Sequence, residues 1–249
     1  MRIDRFKRLH LPPLFAASLL ALPVSPAFAD MALEQAKIII EHNATDLDTG
    51  FQAFVDADGW EKLEIKGPDG VVVEFSGKGT LNQFGLTEVF FETTGPENAK
   101  LPLEKILATM PEGDYEFTAS AAKDGGGSGT MTGNAVLSHK IPAGVTLIEP
   151  EAGAAVPFDK VKVRWTAVDK ALDGSPVTII AYQLIVEKDE DPLPKMIGKR
   201  GLSAYLPAKI TELTLPAGFL EPGTAYKWEV LAIAESGNQT LRSSTFKTQ

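Results

Sequence analysis

The sequence predicts an all-β fold built from two β-sandwich domains in tandem, and three observations carry that expectation. Short segments alternate apolar and polar residues, which is the period of a strand with one buried face. Turn-forming residues punctuate them closely, with 22 Gly and 17 Pro in 249 residues. Only one short stretch has helical spacing.

The chain begins with a segment set apart from the fold. Arg2, Arg5, Lys7 and Arg8 precede an apolar stretch from Leu14 to Leu22, and Ala27-Phe28-Ala29 supplies an A-x-A cleavage site. A basic start, a short apolar core and small residues at the end make an export signal peptide over residues 1–29. The stretch is about half the ~20 apolar residues that a membrane-spanning helix needs. With no twin arginine and no cysteine to carry a lipid, the expected location is periplasmic or secreted. Removal of this segment leaves 20 Lys and Arg against 32 Asp and Glu, a net charge of −12. A surface so acidic repels nucleic acid and anionic lipid. The chain contains no cysteine, so export brings no disulfides and stability rests on core burial.

The N-terminal domain is expected over residues 30–142. Strands are predicted at Ala36 to Glu41, Phe51 to Asp56, Lys62 to Lys66, Val71 to Phe75, Thr87 to Thr93, Tyr115 to Ala121 and Thr130 to Leu137. Between them lie turn signals at Ala57-Asp58-Gly59, Gly67-Pro68-Asp69-Gly70 and Gly95-Pro96-Glu97-Asn98. Leu103, Ile106, Leu107 and Met110 fall at helical spacing between Pro102 and Pro111, which predicts a two-turn helix near residues 102–110 that packs on a sheet. Gly125-Gly126-Gly127-Ser128-Gly129 lacks the lysine and helix of a phosphate loop and reads as a hairpin tip. Pro142, Gly144, Pro150, Gly153 and Pro157 mark a change of composition, and the domain boundary is placed near residues 142–146.

The second domain is expected over residues 143–249. Val161 to Trp165 alternates apolar and basic residues; Ile180, Tyr182, Leu184 and Val186 alternate likewise; Leu220-Glu221-Pro222-Gly223-Thr224-Ala225-Tyr226 leads into Trp228, Val230 and Ala232. These residues resemble a fibronectin type III module. The resemblance implies an immunoglobulin-like Greek-key sandwich, with Trp165 and Trp228 in the core and Tyr226 bonding back to the chain at a corner. No Arg-Gly-Asp triplet occupies the predicted loop Glu235 to Asn238, so integrin-type adhesion has no support. Glu187 to Pro192 reads as a solvated acidic loop. The arrangement also resembles exported bacterial proteins in which a β domain with Asn43 to Asp46 and Gly50 to Gln52 precedes such a module. That likeness implies architecture and no activity. Pro111-Glu112-Gly113-Asp114-Tyr115 echoes the corner motif within the first domain.

Candidate chemistry is sparse. Asp46, Asp48, Asp56 and Asp58 could offer oxygens to calcium, although neither register reaches the bidentate Glu of an EF-hand; the alternative is two Asx turns that close hairpins. No other cofactor is expected. Once the leader is removed only His42 and His139 remain, without a Gly-x-Ser-x-Gly elbow or a histidine pair at zinc spacing. A carboxylate-pair glycosidase is not excluded by composition, since many pairs can be drawn among the acidic residues. Trp60, after a turn signal, is the one tryptophan placed to expose its ring to a polysaccharide. The sequons at Asn43 and Asn238 are expected to be bare in a bacterium. The reading is a non-catalytic binding or scaffold protein. It would engage another envelope or extracellular protein through sandwich loops or a sheet edge. A glycan- or calcium-binding accessory module is the alternative, and an unrecognised hydrolase the third.

Overall fold

A computed structural model of the protein describes residues 31–77, 79–80, 84–122 and 129–249. The expected signal peptide and Gly125 to Ser128 lie outside the described residues. The elements in chain order are β1 (Met31–Ala32), β2 (Gln35–Asn43), β3 (Asp48–Gly67), β4 (Gly70–Ser76), β5 (Leu86–Glu92), α1 (Leu103–Leu107), β6 (Gly113–Ala121) and β7 (Thr130–Leu137). They continue with β8 (Leu147–Glu149), β9 (Ala154–Val156), β10 (Lys162–Trp165), β11 (Ile179–Lys188), β12 (Gly201–Pro207), β13 (Glu212–Thr214), β14 (Ala225–Ala234) and β15 (Gln239–Thr248). The architecture is all-β, with two β-sandwiches in tandem and one short helix. No helix among the described residues is long and apolar enough to cross a membrane.

The first sandwich is organised by β3, which is 20 residues long and belongs to both sheets. Its first part pairs antiparallel with β2 on one side and β5 on the other. Its second part pairs with β4 and β6, and β6 continues to β7 and β1. Register shifts between Asp56 and Trp60, and again between Trp60 and Lys62, turn the strand from one sheet into the other. Ala57-Asp58-Gly59 is therefore a bulged bend within one strand, where a chain-reversing turn was expected. The bulge residues leave the ladder without ending it, and the local twist re-aims the following side chains. Between the sheets lie Ile38, Ile40, Val55, Leu63, Tyr115 and Phe117. The helix is shorter than its spacing predicts. It ends at Leu107, and only Ile106 in it is buried, with Met110 reaching the same core from the following turn.

The second sandwich packs the sheet β8-β10-β13 against β12-β11-β14-β15. That strand order is the seven-stranded Greek key expected of a fibronectin type III fold, with β9 added in parallel to β15. Its core holds Trp165, Tyr182, Leu184, Trp228, Val230 and Phe246. Trp165 meets Tyr182 edge-on with ring centroids 5.7 Å apart, and Tyr226 stacks on Phe246 at 5.5 Å. Such pairs add directional stabilisation to area burial. Tyr182, Leu184 and Val186 are buried, but Ile180 is 54% exposed. A register shift between Ile179 and Ala181 displaces it from the buried row.

The two sandwiches share one sheet. β15 pairs in parallel with β2 over Gln239–Leu241 and Glu41–Asn43. This joins β5-β3-β2 to β15-β14-β11-β12 as a continuous seven-stranded surface. Side chains fix the seam. Asn238, 1% exposed, accepts the Ile40 N–H at 2.9 Å through Oδ1. Its Nδ2 donates to the carbonyls of Ser138 at 2.7 Å and Lys140 at 3.0 Å. Thr240 donates to the Pro142 carbonyl at 2.5 Å, while Gln239 donates to Glu41 at 2.5 Å and Gln52 at 3.2 Å.

One asparagine thus satisfies a strand amide and two linker carbonyls, groups that cost about 1–3 kcal/mol each when left buried and unpaired. We expect Asn238→Ala to lower unfolding free energy by about 3 kcal/mol in urea titration, with the slope against denaturant unchanged. A loss below about 0.5 kcal/mol would show that Asn238 does not hold the seam.

Candidate functional site

Asp46, Asp48, Asp56 and Asp58 do not assemble. Asp46 lies in the turn from β2 to β3 and Asp48 opens β3; in that turn Asn43 Oδ1 accepts the N–H groups of Thr45 at 2.9 Å and Asp46 at 3.1 Å. The Asn43 amide in turn donates to the Asp46 carboxylate at 2.9 Å. Asp48 pairs with Asn43, whereas Asp56 pairs with Gln35 at the far end of the same hairpin. Eight residues of strand separate them, about 26 Å. A calcium ion is coordinated at about 2.5 Å, so these residues cannot form one shell. Among the described residues no group of three or more His, Asp or Glu is placed to hold a metal. The sequence spacing misled because both Asp-x-Asp pairs were read as loops, while the second lies in the bend of β3.

Trp60 is also reassigned. It is 1% exposed and part of the first core, so it presents no platform to a sugar. The bend in β3 turns the indole inward, where a chain-reversing turn would have left it at the surface. Trp165 is 1% exposed and Trp228 fully buried. The Tyr226 hydroxyl accepts the Glu221 N–H at 2.9 Å. In the first sandwich, Tyr115 is fully buried and its hydroxyl donates to the Pro111 carbonyl at 2.8 Å. The echo of the corner motif is thus matched by a tyrosine bonding back across each corner.

The two histidines sit in structural settings. His42 is 4% exposed, with Nδ1 at 2.9 Å from the Thr49 hydroxyl, and burial holds its pKa below the ordinary value of 6.5. His139 Nε2 donates to the Met110 carbonyl at 2.8 Å. Glu41, half-buried at the seam beside His42, has its pKa raised by burial above 4.5, against the hydrogen bonds from Gln239 and Gln52.

The accessible features are the ends of the shared sheet. β12 is an edge strand, Gly201-Leu202-Ser203-Ala204-Tyr205-Leu206-Pro207, with no charged residue. Among the described residues it pairs only with β11. The Arg200 carbonyl accepts the Lys188 N–H at 3.1 Å. Alternation along an antiparallel ladder then points the backbone groups of Gly201, Ser203 and Tyr205 away from β11. Ser203 and Tyr205 project on the outer face, where Gln183 donates to the Ser203 hydroxyl at 3.0 Å. The connection entering β12 exposes Leu193, Met196 and Ile197, the last completely. Arg200 bonds Glu190 at 2.6 Å, and Lys188, only 7% exposed, pairs with Glu221. The acidic stretch at Glu187 to Pro192 therefore ends β11 and anchors the base of this loop. Sequence reasoning missed β12, whose signal was the alternation of Leu202, Ala204 and Leu206 with small or polar neighbours.

No protein-family model matches the sequence, and no curated protein matches it. Among solved structures, the FN1–FN3 domains of chicken CNTN1 share 11% identity, covering 88% of this chain and 65% of that chain, with a TM-score of 0.33. A computer-based redesign of a β-sandwich protein is 20% identical, covering 45% of this chain and 91% of that chain, with a TM-score of 0.30. A myokine structure is 20% identical, covering 45% and 98%, with a TM-score of 0.30.

The titrations at the seam oppose one another. His42 has a lowered folded pKa, so below about 6.5 the unfolded chain takes up a proton that the folded chain refuses, and stability falls. Glu41 has a raised folded pKa, so acidification towards 4.5 protonates the folded chain first and relieves a cost. Comparing urea midpoints at about pH 7.5 and about pH 4.5, we expect His42→Gln to lose less stability on acidification than the wild type, and Glu41→Gln to lose more. Identical pH profiles for all three would remove this account.

Proposed function

We propose that the protein is an exported, non-catalytic scaffold that binds another protein of the cell envelope or the exterior through the free edge of β12. The observation that carries the reading is an edge strand without charge or bulge, whose one proline, Pro207, stands at its last position and leaves the outward groups of Gly201, Ser203 and Tyr205 open. Natural edge strands are blunted by lysines, prolines or bulges because unpaired backbone groups recruit other strands. An edge left open, beside a loop that exposes Leu193, Met196 and Ile197, suits strand addition. Backbone bonds then supply affinity and alternate side chains supply specificity. The seam between the sandwiches supports the scaffold part of the reading, because a continuous sheet carries β12 at a fixed position relative to the first domain.

A photo-cross-linking residue in place of Tyr205, activated in the native envelope, tests the proposal. We expect one dominant envelope protein to be captured, and capture to be lost when Ser203→Pro removes an outward N–H that the fold itself does not use. Recovery of polysaccharide alone, or of nothing above background, would reject this edge as the binding surface. Capture unaffected by Ser203→Pro would reject it too.

A further inference from the structure

A hollow of about 330 Å³ opens on the outer face where the two sandwiches meet. The strand registers explain why it exists. β15 begins level with Glu41 of β2, so no strand of the second sandwich runs beside Lys37 and Ile39. The turn before β15 packs there instead, with Gly237 so near that a Cβ on it would stand 2.9 Å from the Ile39 Cγ2. On the other side, the register shift between Ile179 and Ala181 displaces Ile180 from the buried row, and its side chain lines the hollow.

The walls are apolar and come from both domains. Phe54 and Phe90, paired across β3 and β5, belong to the first sandwich, and Ile180, Tyr205 and Ile233 to the second. Phe90, Ile180 and Tyr205 are 57%, 54% and 70% exposed. Single exposed apolar side chains are ordinary, but a contiguous concave set marks a surface meant to be covered. Small-molecule sites are apolar clefts of roughly 300–1,000 Å³, often between domains, with a few polar groups that fix the ligand's orientation. This hollow has the size, the place and the composition.

Its polar side chains decide what the ligand brings. Gln52 and Gln239 line the hollow but bond elsewhere: Gln239 donates to Gln52 and Glu41, and Gln52 to Glu92. Glu41 and Glu92 line a separate depression with Asp48 and Thr93, and among the described residues no carboxylate lines this one. Asp56 and Glu88 continue the outer face beyond Phe54 and Phe90. Lys37 is the one charged group at the wall. Its ammonium lies 5.6 Å from the centroid of the Phe54 ring, with no carboxylate within salt-bridge distance among the described residues. Tyr205 adds a hydroxyl that no described residue engages. An ammonium over an apolar cavity complements a negative acceptor on an apolar body, whereas a cation would be repelled and a neutral sugar would leave the charge unmatched. We infer that the hollow binds a small apolar carboxylate, its ring or chain between Phe54, Phe90 and Ile233 and its carboxylate at Lys37. The site uses the outer face and not the backbone edge of β12, so it stands apart from the strand-addition reading. Because the ligand touches both sandwiches, its binding also stabilises their seam.

Calorimetric titration of the purified protein with 2-naphthoate, its uncharged amide and the 2-naphthyltrimethylammonium cation tests the inference. The acid should bind saturably at one site, with Kd between about 10 μM and about 1 mM. The amide should bind about two- to fivefold more weakly, the difference one exposed ion pair makes, and the cation more weakly still. Lys37→Met keeps the aliphatic stem and should bring the acid to the level of the amide. Phe90→Ala should weaken acid and amide alike by about fivefold or more, and Ile180→Asp should abolish binding of the acid. These three side chains are exposed, so the urea midpoints of the unliganded variants should match the wild type. Absence of saturable 2-naphthoate binding up to about 5 mM overturns the inference. So does an amide or cation that binds as tightly as the acid, a preference for the acid that survives Lys37→Met, or an affinity indifferent to Phe90→Ala and Ile180→Asp.

Discussion

The parallel pairing of β2 with β15 is the contact on which the rest of the structure depends. Each sandwich buries its own core, so either side of the seam has a reason to fold. Their relative placement is set by groups that include three residue pairs in the ladder, the side-chain hydrogen bonds of Asn238, the Gln239 bonds to Glu41 and Gln52, the Ser243 N–H bond to Thr45 and the Thr240 bond to Pro142. These are polar contacts in a buried setting, and they act by exclusion. Any displacement of one sandwich against the other strands the Ile40 amide or the linker carbonyls without water, so the satisfied arrangement is strongly preferred. The specificity of the seam therefore comes from hydrogen-bond accounting more than from apolar area.

The bend in β3 is the second constraint. A strand of 20 residues that stayed in one sheet would project far beyond its neighbours. By turning at Ala57-Asp58-Gly59 it pairs along most of its length and draws the two sheets together at that corner. Trp60 fills the space this creates. Its indole N–H has no partner, so its contribution is packing, and its position explains why a residue beside a turn-like tripeptide sits in the core.

Much of this was legible because strand and helix periods are local properties. The rows Tyr182-Leu184-Val186 and Tyr115-Phe117-Ala119 alternate in sequence and in burial, and Gly67-Pro68-Asp69-Gly70 turns the chain between β3 and β4 where its residue types demand. What escaped was non-local. Ala57-Asp58-Gly59 has turn composition in a strand bend, since both call for small residues and a locally irregular backbone. Only the partner strands β5 and β6 distinguish them. Asn238 carries the signature of a hairpin loop, and nothing nearby reveals that its amide reaches residues 98 and 100 positions away. The Asp residues looked clustered because sequence proximity was taken for spatial proximity, whereas an extended strand separates residues faster than any other conformation.

The same seam accounts for the location of the free edges. Two separate sandwiches would expose the outer edge of β2 and the upper edge of β15 as well as β5 and β12. Pairing β2 with β15 closes the first two over Gln239–Leu241, and β9 covers the far end of β15 in parallel over Phe246–Thr248. What is left is β5 and β12, the two ends of the strand order, whose Phe90 and Tyr205 line one hollow on the outer face with Phe54, Ile180 and Ile233. Because the seam is parallel while the other ladders joining these strands are antiparallel, seven strands give edges of opposite direction; an all-antiparallel sheet of seven would give edges running the same way. The single parallel step that joins the sandwiches thus also sets the relative direction of the two strands that remain unpaired.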